Sequence, residues 1–112
     1  MPFRIKEDSA TIDANSTKTL TYEVGENRTF RIKKIAFKST GSFKINEIKD
    51  SATGHNYIYG SLYSDQMKEF NGNVLHLDDP IELRGSTKLV VEVEDTSGAS
   101  NTVSIAMIGS EE

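Results

Sequence analysis

The strongest constraint in this 112-residue chain is the spacing of its apolar residues, which recur at every second position rather than every third or fourth. Leu20, Tyr22 and Val24 alternate with Thr19, Thr21 and Glu23. Phe30 and Ile32 share one phase, Ile35 and Phe37 the other, so one extra residue near Lys33-Lys34 predicts a β-bulge. Phe43 and Ile45 point one way, and Ile48 breaks phase. Leu75, Leu77, Ile81 and Leu83 keep one register across Pro80, which should interrupt pairing or mark an edge. Leu89, Val91 and Val93 face inward with Glu92 and Glu94 outward, and Val103, Ile105 and Met107 alternate with Thr102, Ser104 and Ala106. A chain of period two folds into sheets whose apolar faces must cover one another.

Between these runs lie "GENR", "STGS", "SATGHN", "FNGN", "RGST" and "TSGASN". Such turn sequences, about every 12–15 residues, predict seven or eight short strands in a sandwich rather than βαβ units. "HNYIYGSLY" reads as one of these strands, and "TSGASN" as the turn of a last hairpin with Gly98 taking φ > 0. The one plausible helical turn is 61–70, where Tyr63, Met67 and Phe70 would share a face. The fold class expected is all-β: a single antiparallel, jelly-roll-like sandwich over 17–112, preceded by an N-terminal arm or edge strand over 1–16.

There is no cysteine, which excludes disulfide scaffolds and thiolate chemistry. No apolar run reaches the roughly 20 residues needed to span a bilayer as a helix, and no membrane partner is expected. The N-terminus lacks an apolar h-region, so a secretory signal is not expected. Asn15-Ser16-Thr17 and Asn27-Arg28-Thr29 are then read as turns rather than glycosylation sites.

The net charge is −4, but it is unevenly spread. Residues 28–49 hold seven basic groups and one acid; residues 65–112 hold three basic groups and ten acids. By phase, Arg31, Lys34 and Lys38 lie on one outer face, a genuine electrostatic footprint. The nearby Phe30, Phe37 and Phe43 point inward and cannot stack on bases, and the net negative charge opposes polyanions, so nucleic acid is disfavoured as a partner. Two readings remain: cross-strand ion pairs absorb the charge, or basic and acidic faces meet between copies.

Other chemistry is thin. Asp78-Asp79 and Glu94-Asp95 are adjacent acids, best read as solvated strand ends rather than a calcium site. His55 and His76 are the only imidazoles. No nucleophile elbow and no phosphate-binding glycine loop occurs, so neither an enzyme nor a cofactor is expected. Tyr57, Tyr59 and Tyr63, with His55 and Asn56, could instead form an aromatic platform for a carbohydrate.

The second half, "PIELRGSTKLVVEVEDTSGASNTVSIAMIG", resembles the closing segment of small β-sandwich virion proteins of tailed bacteriophages and archaeal viruses. The resemblance rests on Pro80 before a strand, the Gly85-Ser86 turn, the strand 89–93, the turn 96–101 and a final strand ending at Gly109. The segment 29–60, "TFRIKKIAFKSTGSFKINEIKDSATGHNYIYG", is similar to the opening hairpin of the same proteins. This resemblance implies a jelly-roll-like component of a virion: a capsid decoration, turret, minor capsid or fibre protein assembled in the host cytoplasm. It carries over no catalytic residue. The expected partners are further copies of the chain and the major capsid or other virion proteins. The expected contacts are Phe3 and Ile5 with the basic face at Arg31, Lys34 and Lys38, meeting the acids of the C-terminal half.

Overall fold

A computed structural model describes residues 3–69 and 72–112. Among them the strands are β1 (Phe3–Ile12), β2 (Thr17–Glu23), β3 (Thr29–Ser39), β4 (Phe43–Asp50), β5 (Leu62–Tyr63), β6 (Lys68–Glu69), β7 (Gly72–Arg84), β8 (Lys88–Asp95) and β9 (Asn101–Glu111). A single 3₁₀ turn, Ser64–Met67, follows β5. Two sheets form, ordered β1-β9-β3-β7-β6 and β2-β8-β4-β5, and among the described residues every strand pairing is antiparallel. Phe3 lies opposite Ser110, Thr17 opposite Glu94, Thr29 opposite Arg84, and Lys44 opposite Tyr63. The first half of the chain thus pairs with the second as one long hairpin, rolled so that its arms alternate between the layers. That is jelly-roll topology.

The alternation sorts the side chains as expected. Phe30, Ile32, Ile35, Phe43, Ile45, Val93 and Val103 are completely buried. The layers interlock through aromatic rings: Phe37 meets Phe43 at 5.6 Å, and Tyr22 meets Phe30 edge-on at 5.9 Å. The bulge expected near Lys33-Lys34 is present, where pairing with both neighbours shifts between Ile32 and Lys34. On β7 the pairing jumps from Ile81 to His76, so residues 77–80, with Pro80, stand against Lys33 alone. Pro80 therefore sits where β3 asks for no amide donor. A second shift, between Ile45 and Glu47, is why Ile48 changes phase and still points inward.

Other expectations change in the structure. "HNYIYGSLY" is not one strand: only Leu62–Tyr63 pairs as β5, and Asn56 makes a lone bridge to Lys49. Its backbone is held locally instead, because Asn56 Oδ1 accepts from the amides of Ile48 and Ile58. "TSGASN" is not a hairpin turn, since β8 and β9 belong to different sheets; likewise β3 and β4 form no opening hairpin. Alternation shows which way side chains point but not which sheet a strand joins. The helical turn shrinks to Ser64–Met67, with Met67 buried; Phe70 lies outside the described residues. Of the two readings of the N-terminal segment, arm or edge strand, the structure has the edge strand: β1 pairs with β9 over its full length at the margin of the five-stranded sheet.

The bulge makes one glycine indispensable. Gly109 lies opposite Ile32, and a Cβ there would run into the Arg31 carbonyl. We expect Gly109→Ala to cost about 2 kcal/mol in urea denaturation, as overpacked sites do. Gly25→Ala, which would meet only the flexible Arg28 side chain, should stay within about 0.5 kcal/mol of the parent. Equal behaviour of the two would refute the close approach.

Candidate assembly faces and the loop end that frames them

Asp95 ends β8 and is buried, contrary to the expectation that both acids of Glu94-Asp95 finish the strand in water. Its Oδ1 accepts from the Ser97 amide at 3.0 Å, the Ser97 hydroxyl at 2.6 Å and Asn101 Nδ2 at 3.0 Å. Its Oδ2 accepts from the amides of Asn15 at 2.9 Å and Gly98 at 3.0 Å. Asn101, also buried, accepts from the Gly41 amide at 3.1 Å and donates to the Ser42 carbonyl at 2.9 Å. Three crossings between the sheets, β1–β2, β3–β4 and β8–β9, therefore meet on two side chains. Asn15 and Gly98 take the left-handed backbone this requires, at φ 56° and 79°. The Asn15 amide, then the Ser97 hydroxyl, hold the Asp95 carboxyl well below the usual carboxylate range. The sequence does carry the signature, an Asp three residues before a Gly with a Ser between.

The outward face of the five-stranded sheet gathers all five expected contact residues. Across the strands, Phe3 aligns with Ser110, Arg31 and Glu82; Ile5 aligns with Ile108, Lys34 and His76. Lys38 follows two positions beyond Ala36 on the same face of β3. Phe3 and Ile5 are 69% and 55% exposed. The first half of β1 is turned inside out, because Arg4 and Lys6 occupy the inward phase and pair with Glu111 at 3.4 and 3.9 Å. A one-residue slip would reverse the two faces and turn the buried Ile12 outward, so the register that pairs Arg4 and Lys6 with Glu111 also decides which residues meet solvent. A cleft of about 280 Å³ opens beside them, lined by Phe3, Lys33, Lys34, Ile108, Gly109 and Ser110.

Part of the basic charge is answered within the chain. Arg31 Nε lies 2.7 Å from Glu82, whose other oxygen is 2.6 Å from Arg84, and the hydrogen bond from Arg31, then that from Arg84, lower the Glu82 pKa. Lys44 pairs with Glu94 at 3.6 Å. Among the described residues, Lys33, Lys34 and Lys38 make no ion pair.

The tyrosines divide. Tyr57 and Tyr59 line a cleft of about 300 Å³ floored by Ile48, Leu62, Leu75, Leu77 and Ile81, where the two sheets part. His55 packs edge-on against Tyr57 at 4.6 Å, and burial, then the charge of Asp50, raise the Tyr57 pKa. Tyr63 stands apart, under Lys44 at 5.6 Å. Asp78, Asp79 and His76 are exposed. Among the described residues no three His, Cys, Asp or Glu side chains group as a metal site would need.

The fold and faces define an all-β, double-sheet jelly roll. No family model matches the chain, and no curated protein matches it. Solved structures with a similar course include the Drosophila NLP core, described for pentamer formation and histone binding, at 16% identity over 96% of this chain and 98% of that one, with a TM-score of 0.45. The Yersinia pseudotuberculosis-derived mitogen is 8% identical over 95% and 85%, with a TM-score of 0.47. Salmonella Typhimurium PliG, a periplasmic inhibitor of g-type lysozyme, is 12% identical over 93% and 86%, with a TM-score of 0.46. Such likenesses carry no argument about activity.

The Asp95 cluster sets a pH limit. Because the folded carboxyl titrates below its unfolded value of about 3.9, its contribution is whole above that value and declines as pH falls beneath it. Asp95→Asn removes an acceptor for the Asn15 and Gly98 amides. We expect its Tm at neutral pH to drop by more than about 5 °C, with the gap to the parent narrowing below about pH 4. A gap that widened in acid would reverse the sign and contradict the assignment.

Proposed function

We propose that this chain is a non-enzymatic structural protein that self-assembles, acting in a virion as a decoration, turret, minor capsid or fibre component. One observation carries the reading: a stable sheet face that exposes Phe3 and Ile5 and holds Lys33, Lys34 and Lys38 without ion-pair partners among the described residues. Lone exposed apolar residues need no explanation. Here, however, Phe3 and Ile5 stand together on one face, while the half-exposed Arg4 and the partly buried Lys6 take the other phase of β1 and pair with Glu111. An array of such blocks joins weak contacts by avidity. The virion context rests on the resemblance of 28–109 to small virion proteins. Sedimentation and electron microscopy at low and high salt test the proposal. Larger species are expected at low salt, and Phe3→Ser with Ile5→Ser should remove them while leaving the Tm within a few degrees. A strict monomer that binds no particle would overturn the reading.

The cleft that joins Tyr57 and Tyr59 favours a second reading, a carbohydrate-binding module. On a glycan array, that reading expects sugar binding lost in Tyr57→Ala and Tyr59→Ala but kept in Tyr63→Ala, whose ring lies elsewhere. No binding to any glycan would remove it.

A further inference from the structure

The outward face of the four-stranded sheet carries a feature that works against its own stability. Glu47 on β4 and Glu92 on β8 are direct cross-strand partners, both pointing outward from the buried Ile48, Val91 and Val93. Like charges so placed repel. The neighbour of Glu92 on its other side is Thr19, which offers no positive charge. The nearby acids do have partners: Glu94 pairs with Lys44 and hydrogen-bonds Asn46, and Glu23 pairs with Lys88. Among the described residues Glu47 and Glu92 make no ion pair. The opposite surface of the same molecule has the converse imbalance, with Lys33, Lys34 and Lys38 beside exposed Phe3 and Ile5.

We propose that the two surfaces fit each other between copies: the Lys34/Lys38 face of one molecule docks on the Glu47/Glu92 face of the next. The inference rests on the self-assembly reading and names its partner and polarity. Two-fold pairing of the basic face with itself would set lysine against lysine, and two-fold pairing of the acidic face would set glutamate against glutamate. The complementary arrangement is head to tail, and it propagates into a ring or a filament. The molecule measures 41 × 28 × 23 Å, so a broad sheet face has room for the roughly 800 Å² per partner of a standard interface. Screening by salt weakens the contact, since its charges meet from opposite surfaces.

The test uses two charge-reversed variants of the full chain, followed by sedimentation velocity at low salt. Lys34→Glu with Lys38→Glu sets acid against acid at the proposed contact. Glu47→Lys with Glu92→Lys sets base against base there and replaces one like-charge pair by another. All four side chains point outward, so circular dichroism melts should match the parent. Each variant alone is expected to lose the larger species, and an equimolar mixture of the two to regain them. If the parent assembles and the Glu47→Lys/Glu92→Lys variant assembles equally well alone, head-to-tail docking is overturned while self-assembly stands. If the parent is a strict monomer under every condition, both are overturned.

Discussion

The carboxylate of Asp95 is the interaction on which the rest depends. A jelly roll repeatedly moves its chain from one sheet to the other, and each crossing leaves backbone groups that no ladder satisfies. Here three crossings converge on one buried carboxylate and one buried amide, which take up donors and acceptors from residues far apart in sequence. The knot is local, but it sets how the layers stack and which outer faces they present. A charged group is tolerated there because hydrogen bonds replace the water it gave up.

Those faces follow from register as much as from composition. One register of β1 pairs Arg4 and Lys6 with Glu111, buries Ile12 and turns Phe3 and Ile5 to solvent. The bulge at Lys33, allowed by the bare backbone of Gly109, brings Lys34 into the row of Ile5 and Ile108. On the other sheet, the bulge between Ile45 and Glu47 puts Glu47 opposite Glu92. Each irregularity of the ladder thus moves a charge to an outer surface.

The period-two pattern made the sandwich, the inward residues and the bulge at Lys33 legible. It made the basic stripe legible too, because phase alone assigns Lys34 and Lys38 to the outside. Sheet membership was not legible. The segments around Ser97-Gly98 and Thr40-Gly41 read as hairpin turns, since a tight turn and a crossing between layers use the same small and polar residues. Asp95 looked like a solvated strand end because its partners, Asn15 and Asn101, come from separate loops. The opposition of Glu47 and Glu92 was equally hidden, since pairing between distant strands leaves no mark on local alternation. Tyr57 and Tyr59 carried a strand-like phase in a stretch whose backbone is held by Asn56 instead.

The central claim is that opposite outer faces of this jelly roll meet between copies. Its most direct test is zero-length carbodiimide cross-linking, which joins a lysine to a carboxylate only at contact, in a mixture of isotopically heavy and light protein at low salt. The account predicts mixed heavy–light cross-links joining Lys34 or Lys38 to Glu47 or Glu92, and their loss at high salt. Cross-links confined to pairs within one chain, such as Lys44 with Glu94, would contradict it.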